Sequence, residues 1–148
     1  MTIQETAPNG MKGRSITWKD LTWVDVPEPS RAEMEYLGNL YHLHPLELED
    51  CLSKRQLSKI DAHEDYLFIL LHFPWFLTTR QVTQRSQVSI FLGKNYLVTV
   101  HNWDLKPIDQ LFASCEAGEQ RRQEVLGMGP GYLLYRIVDV LVDTSTLS

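Results

Sequence analysis

Cysteine is scarce: Cys51 and Cys115 are the only two in 148 residues, and neither belongs to a CxxC pair. Neither a disulfide framework nor a zinc knuckle is signalled, and a reducing, intracellular compartment fits. Long hydrophobic runs are lacking too. The longest, Tyr66 to Phe73, reaches less than half of the roughly 20 residues that a membrane-crossing helix needs, so nothing in the chain is expected to cross a bilayer. Positive charge is in the minority, with 14 Lys and Arg against 19 Asp and Glu and a net charge of −5. With no basic stripe and no interleaved aromatics, nucleic acid is not an expected partner, and an anionic membrane surface is disfavoured. No nucleophile elbow, P-loop, Rossmann glycine pattern or HExxH sequence occurs, so no enzyme machinery is visible. Residues 1–14 are polar, contain Gly and Pro and lack an apolar signal core; they read as a flexible leader without an address.

What is present is a succession of strand and helix patterns sized for one domain. Ser15 to Val26 alternates aromatic and β-branched with polar residues until Pro27-Glu28-Pro29 stops it, predicting one or two short strands. Ser30 and Glu33 form a capping box, and Met34, Leu37 and Tyr41 repeat at helical spacing, predicting a helix from Arg31 to His42. Pro45 suits the first turn of a second, short helix whose inner face is Leu48, Cys51 and Leu52, with Glu47 and Asp50 pointing elsewhere. The apolar run from Tyr66 to Phe73 is expected to be the central strand, covered on both sides. Val88 to Leu92, Gly93-Lys94-Asn95 and Tyr96 to Val100 predict a β-hairpin. Pro107 to Ala117 reads as a helix ended by Gly118, and Glu119 to Gly129 as a charged, then glycine-rich, connection. A last helix starts near Pro130, with Leu134, Ile137, Val138 and Leu141 as its stripe. The expected class is α/β, with a mixed parallel and antiparallel sheet covered by helices on both faces. The expected divisions are a leader (1–14), the α/β domain (15–129) and the start of a connecting helix (130–148) that looks truncated.

The candidate chemistry lies in histidines and carboxylates. His42 and His44 are two apart, a spacing that does not share a helix face, and no third ligand is apparent for a zinc site. His72 fits a hydrogen-bonded core histidine, and His63 and His101 fit surface or strand-end positions. The glycines Gly127, Gly129 and Gly131 lack the preceding strand and lysine of a phosphate loop. Glu47, Glu49 and Asp50 crowd one short helix, and Asp139 and Asp143 stand one turn apart on the last helix. Spacing alone leaves two readings: a solvated acidic face, or hard oxygen ligands gathered for Mg²⁺ with water completing the shell.

The strings "ITWKDLTWVDV", "YHLHPLELEDCL", "HEDYLFILL", "SQVSIFLGKNYLVTV" and "GYLLYRIVDVLVD", in this order and from Ile16 to Asp143, resemble the soluble domain of CorA-type transporters. The resemblance implies a homopentamer whose cytoplasmic funnel is built from such domains, each joined through a long helix to membrane segments that this chain lacks. It implies divalent cations, Mg²⁺ or Co²⁺, bound weakly between neighbouring protomers to hold a closed state. By the resemblance Asp50, at the end of the "LED" motif, is the principal ligand, and Glu49 and Asp139 line an adjacent second site. The location implied is the cytoplasmic side of the cell membrane. Gly127-Met128-Gly129 is not the family's Gly-Met-Asn pore signature, since it lacks the asparagine and lies in no apolar helix. Other readings are a zinc transporter of the ZntB type, a metal-dependent hydrolase using the acidic cluster with a histidine, and a plain interaction module. Buried histidines beside Asp50 would point to the hydrolase, and a shallow exposed carboxylate patch to regulation.

Overall fold

The computed structural model describes residues 12–54, 57–76, 83–102 and 105–146. The expected leader lies almost wholly outside these residues, and the chain enters its first strand at Arg14. Eleven elements follow in order: β1 (Arg14–Trp18), β2 (Leu21–Pro27), α1 (Arg31–Tyr41), α2 (Pro45–Leu52), β3 (Lys59–Ala62), β4 (Leu67–Phe76), β5 (Thr83–Leu92), β6 (Tyr96–His101), α3 (Lys106–Ala117), α4 (Glu119–Leu126) and α5 (Pro130–Thr146).

The six strands form one sheet in the order β1-β2-β6-β5-β4-β3. β2 and β6 run parallel, Asp25 beside Thr99, and the other neighbours are antiparallel. The sheet is therefore mixed, as expected. β1 and β2 form a hairpin whose tight turn places Lys19 at φ 54°. The predicted hairpin turns at Gly93-Lys94-Asn95, where a Cβ on Gly93 would lie 2.3 Å from the Tyr96 ring, so a larger residue fits only if that ring shifts. The strand expected at the spine, β4, instead lies one in from the edge, and β5 and β6 hold the centre. β3 was not legible. It is four residues long, largely exposed, and carries no alternating apolar pattern.

Successive side chains of a strand point to opposite faces, and the sheet has a core on each. On one face Val24, Val26, Phe68, Leu70, Phe91, Val98 and Val100 meet Met34 and Leu37 of α1 and Cys51 of α2. On the other, Trp23, Ile69, Phe73, Val88, Ile90 and Leu97 meet α3, α4 and α5. The burying stripe of α5 is Leu133, Ile137 and Leu141. That is one position off the predicted stripe at Leu134, while Leu134 packs at its border. Each of these three side chains contributes about 1.5–3 kcal/mol by leaving water.

Two local expectations change. Residues 119–126, read as a connection, form α4, because Glu, Gln and Arg favour helix and Val125 and Leu126 are fully buried. Arg122 also donates to the carbonyls of Cys115 and Glu116, satisfying the end of α3. At α1 the capping box is half made. Ser30 Oγ accepts from Glu33 N–H at 3.2 Å, but the Glu33 carboxylate turns away and accepts from Gly13 N–H at 2.5 Å.

Candidate functional site

Helix α2 carries the acidic residues. His44 caps it, Nδ1 accepting from Leu46 N–H at 3.1 Å, and Pro45 occupies the first turn, where a missing N–H costs nothing. Glu47, expected to point outward, is only 3 % exposed. Its two oxygens accept from the Tyr66 hydroxyl and from His63 Nε2, both at 2.5 Å. Burial, then this carboxylate, raises the Tyr66 phenol pKa.

Asp50, also expected to point elsewhere than the core, is 6 % exposed. A charge so placed needs a partner, and Lys59 Nζ of β3 supplies it at 2.9 Å from Oδ2. The same ammonium lies 3.5 Å from Asp61 Oδ2. Beside Asp50, burial pushes the Cys51 thiol up to about 12, against a hydrogen bond from Ser89 and with the help of the Asp50 and Glu47 charges. That thiol is inert at neutral pH. Glu49, the residue before Asp50, is half exposed and pairs with Arg31 at 2.8 Å.

Asp139 is exposed on α5, as is Asp143. α2 and α5 cover opposite faces of the sheet, so within one chain the structure brings Asp50 and Glu49 together and holds Asp139 apart. Among the described residues no group of three or more His, Cys, Asp and Glu could hold a metal ion. The donors fit Mg²⁺ in kind, being hard carboxylate oxygens, but one chain supplies only part of a shell of six or more. Among the described contacts no histidine is bonded to Asp50 or Glu49: His44 caps α2, His63 meets Glu47, His72 meets Ser58 and His101 meets Asp25. The acidic helix is thus neither a histidine-lined pocket nor a shallow patch; its two inner carboxylates are buried and matched.

A second charged cluster was missed by sequence reading. His101, expected at a strand end of ordinary character, is 4 % exposed. Its Nε2 lies 2.8 Å from Asp25 Oδ1 and its Nδ1 2.6 Å from the Asn102 carbonyl. With Asp25 ionised both neighbours only accept, so the geometry suits the imidazolium form of His101, with hydrogen on both ring nitrogens. Asp25 also accepts from Thr99 Oγ1 at 2.5 Å and from Arg14 Nη2 at 2.9 Å, and Arg14 continues to Asp109 of α3 at 2.6 Å. Burial by itself would lower the His101 pKa, but the Asp25 hydrogen bond and charge outweigh it and raise it. Burial would likewise raise Asp25, yet His101, Thr99 and Arg14 hold it below its ordinary value.

The signs set a pH window. The His101 proton stabilises the fold fully below about pH 6.5, and this is lost as pH rises through the raised folded value; the Asp25 contribution is present above about pH 3.8 and lost as pH falls through the lowered one. Urea midpoints are expected to peak between these limits and decline on both sides. In His101→Gln the alkaline decline should flatten; an equally steep one would assign it to another group.

The arrangement of one sheet between two helical layers is that of CorA soluble domains. The soluble domain of CorA from Methanocaldococcus jannaschii superposes with a TM-score of 0.70 at 22 % identity, over 84 % of this chain and 48 % of that one. The complete CorA magnesium transporter from the same organism gives 0.68 at 25 % identity, over 84 % and 38 %. The family model for CorA-like Mg²⁺ transporter proteins matches residues 18–146, and the chain belongs to that family. Among curated relatives, the putative metal ion transporter YfjQ of Bacillus subtilis is 32 % identical over 125 residues, 82 % of this chain and 35 % of that protein. The cobalt/magnesium transport protein CorA of Thermotoga maritima is 29 % identical over 124 residues, 82 % and 34 %. The chain thus spans about a third of the length of these relatives. No single helix among the described residues is long and apolar enough to cross a membrane.

Proposed function

We propose that this chain is the cytoplasmic, metal-sensing regulatory domain of a CorA-type divalent-cation transporter, responding to Mg²⁺ or Co²⁺. The observation that carries the reading is the placement of the carboxylates. Asp50 and Glu49 lie over one face of the sheet and Asp139 over the other, so the three suit a boundary between neighbouring copies and not a pocket inside one. In a homopentamer each boundary would pair Asp50 and Glu49 of one protomer with acidic groups of the next. Without a cation Asp50 and Glu49 are held by Lys59 and Arg31 of their own protomer, pairs that tie no protomer to the next; a bound cation bridges the boundary and favours closure. Five boundaries contributing about 1 kcal/mol each come close to the ~5.5 kcal/mol that moves a population from 1:99 to 99:1, so weak sites suffice for a steep switch. Carboxylate donors, with no histidine bonded to Asp50 or Glu49 among the described contacts, suit Mg²⁺ better than Zn²⁺ and give no support to hydrolysis.

The test is Asp50→Ala in the complete transporter, followed by metal-dependent protease protection and ion flux. Closure is expected to require several-fold more Mg²⁺, with assembly intact. An unchanged Mg²⁺ dependence in both assays removes Asp50 from the mechanism.

A further inference from the structure

We propose that Lys59 is a tethered competitor for the divalent cation at Asp50, so that metal is captured only as the lysine ammonium swings away. The inference rests on the metal-sensing reading above and adds to it what sets the response threshold. Lys59 Nζ is 2.9 Å from Asp50 Oδ2, the place a cation takes on a carboxylate. That oxygen has almost no surface of its own left to solvent, so no hydrated ion reaches it while the lysine is in place.

The surroundings allow the exchange. Lys59 opens β3, the edge strand, and its side chain is 44 % exposed on a four-carbon stem. Asp61, two residues on, projects from the same side of the strand, and its Oδ2 is already 3.5 Å from the ammonium. The lysine therefore keeps a carboxylate partner when it leaves Asp50. The nearly buried Asp50 charge is matched in both states, by ammonium in one and by metal in the other, and never stands alone. Because the two cations exclude each other, the strength of the Lys59 contact divides the metal affinity of Asp50.

The experiment titrates this chain with MgCl₂ by calorimetry, comparing wild type with Lys59→Met, Lys59→Arg and Asp50→Asn. Lys59→Met keeps most of the stem without the charge and is expected to bind Mg²⁺ about fivefold more tightly, the most that such a half-exposed pair commonly contributes. Lys59→Arg, which keeps the charge and adds a forked grip on the carboxylate, should bind more weakly than wild type; this arm stands if the methionine variant fails to fold. In wild type, the Lys59 ¹⁵Nζ resonance should move along the same Mg²⁺ titration. Asp50→Asn should abolish binding in every background. If all Lys59 variants titrate like wild type while Asp50→Asn abolishes binding, the competitor is overturned and the metal site stands. If no variant binds, the competitor is overturned, while the boundary site, which needs a neighbouring copy, is judged by the protease-protection assay on the complete transporter; if binding survives Asp50→Asn, both are overturned.

Discussion

Asp25→Ala is expected to lower the unfolding free energy by about 3–5 kcal/mol, the usual cost of removing one partner from a buried ion pair. Three groups converge on that carboxylate: the His101 imidazolium, the Thr99 hydroxyl and the Arg14 guanidinium. Alanine leaves the imidazolium without its counter-charge in a site closed to water. His101 then either gives up its proton, losing one of two hydrogen bonds, or stays charged and unpaired. Thr99 keeps its contact with Trp23 Nε1, so the damage is electrostatic before it is steric. Urea unfolding at pH 6, below the raised His101 value, reads the loss directly. A change below about 1 kcal/mol would mean that water reaches the pair and that the cluster matters little to the fold.

Phe112→Ala should cost a similar amount, about 3–5 kcal/mol, for a different reason. The Phe112 ring is fully buried in α3. It meets Trp23 edge-on at 4.9 Å between centroids, and the Arg14 guanidinium lies 4.4 Å from its centre. Truncation removes both aromatic contacts and opens a cavity between β2 and α3. It also frees Arg14 to move away from Asp25. The two substitutions therefore share a partner, and the double mutant should be less destabilised than the sum of the singles by more than about 0.5 kcal/mol. Strict additivity in the denaturation cycle would show that Arg14 does not link them.

How much was legible follows from the range of each signal. Helix α1, helix α2 and the β5–β6 hairpin were readable because a cap, a proline and a glycine turn act within a few residues. β3 was not, since an edge strand of four exposed residues carries no hydrophobic period. α4 was obscured because its charged residues look like a linker until Val125 and Leu126 are seen to be buried. The inward turn of Glu47 and Asp50 was hidden for a different reason: their partners, Tyr66, His63 and Lys59, arrive from beyond the helix. The Asp25–His101 pair spans 76 residues and exists only because β2 lies parallel to β6. Of the candidate site, the nearness of Glu49 and Asp50 was legible in one helix. That α2 and α5 cover opposite faces was not.

The parallel pairing of β2 with β6 also dictates an order of assembly. β2 ends at Pro27 and β6 begins at Tyr96, so about seventy residues separate them, a span that a ribosome adding 5–20 residues per second takes roughly 4–14 s to make. Until then the β1–β2 hairpin has no sheet to join, and a lone hairpin is at best marginally stable. The β4–β5 hairpin can form earlier, from neighbouring segments. The nascent chain thus carries its first two strands, with Trp23 and Asp25 uncovered, as a waiting segment. Docking of that segment on β6 closes the sheet and brings Asp25 to His101 in the same event. Refolding is expected to be slow for a chain of this length, because its decisive contact is also one of its most distant in sequence.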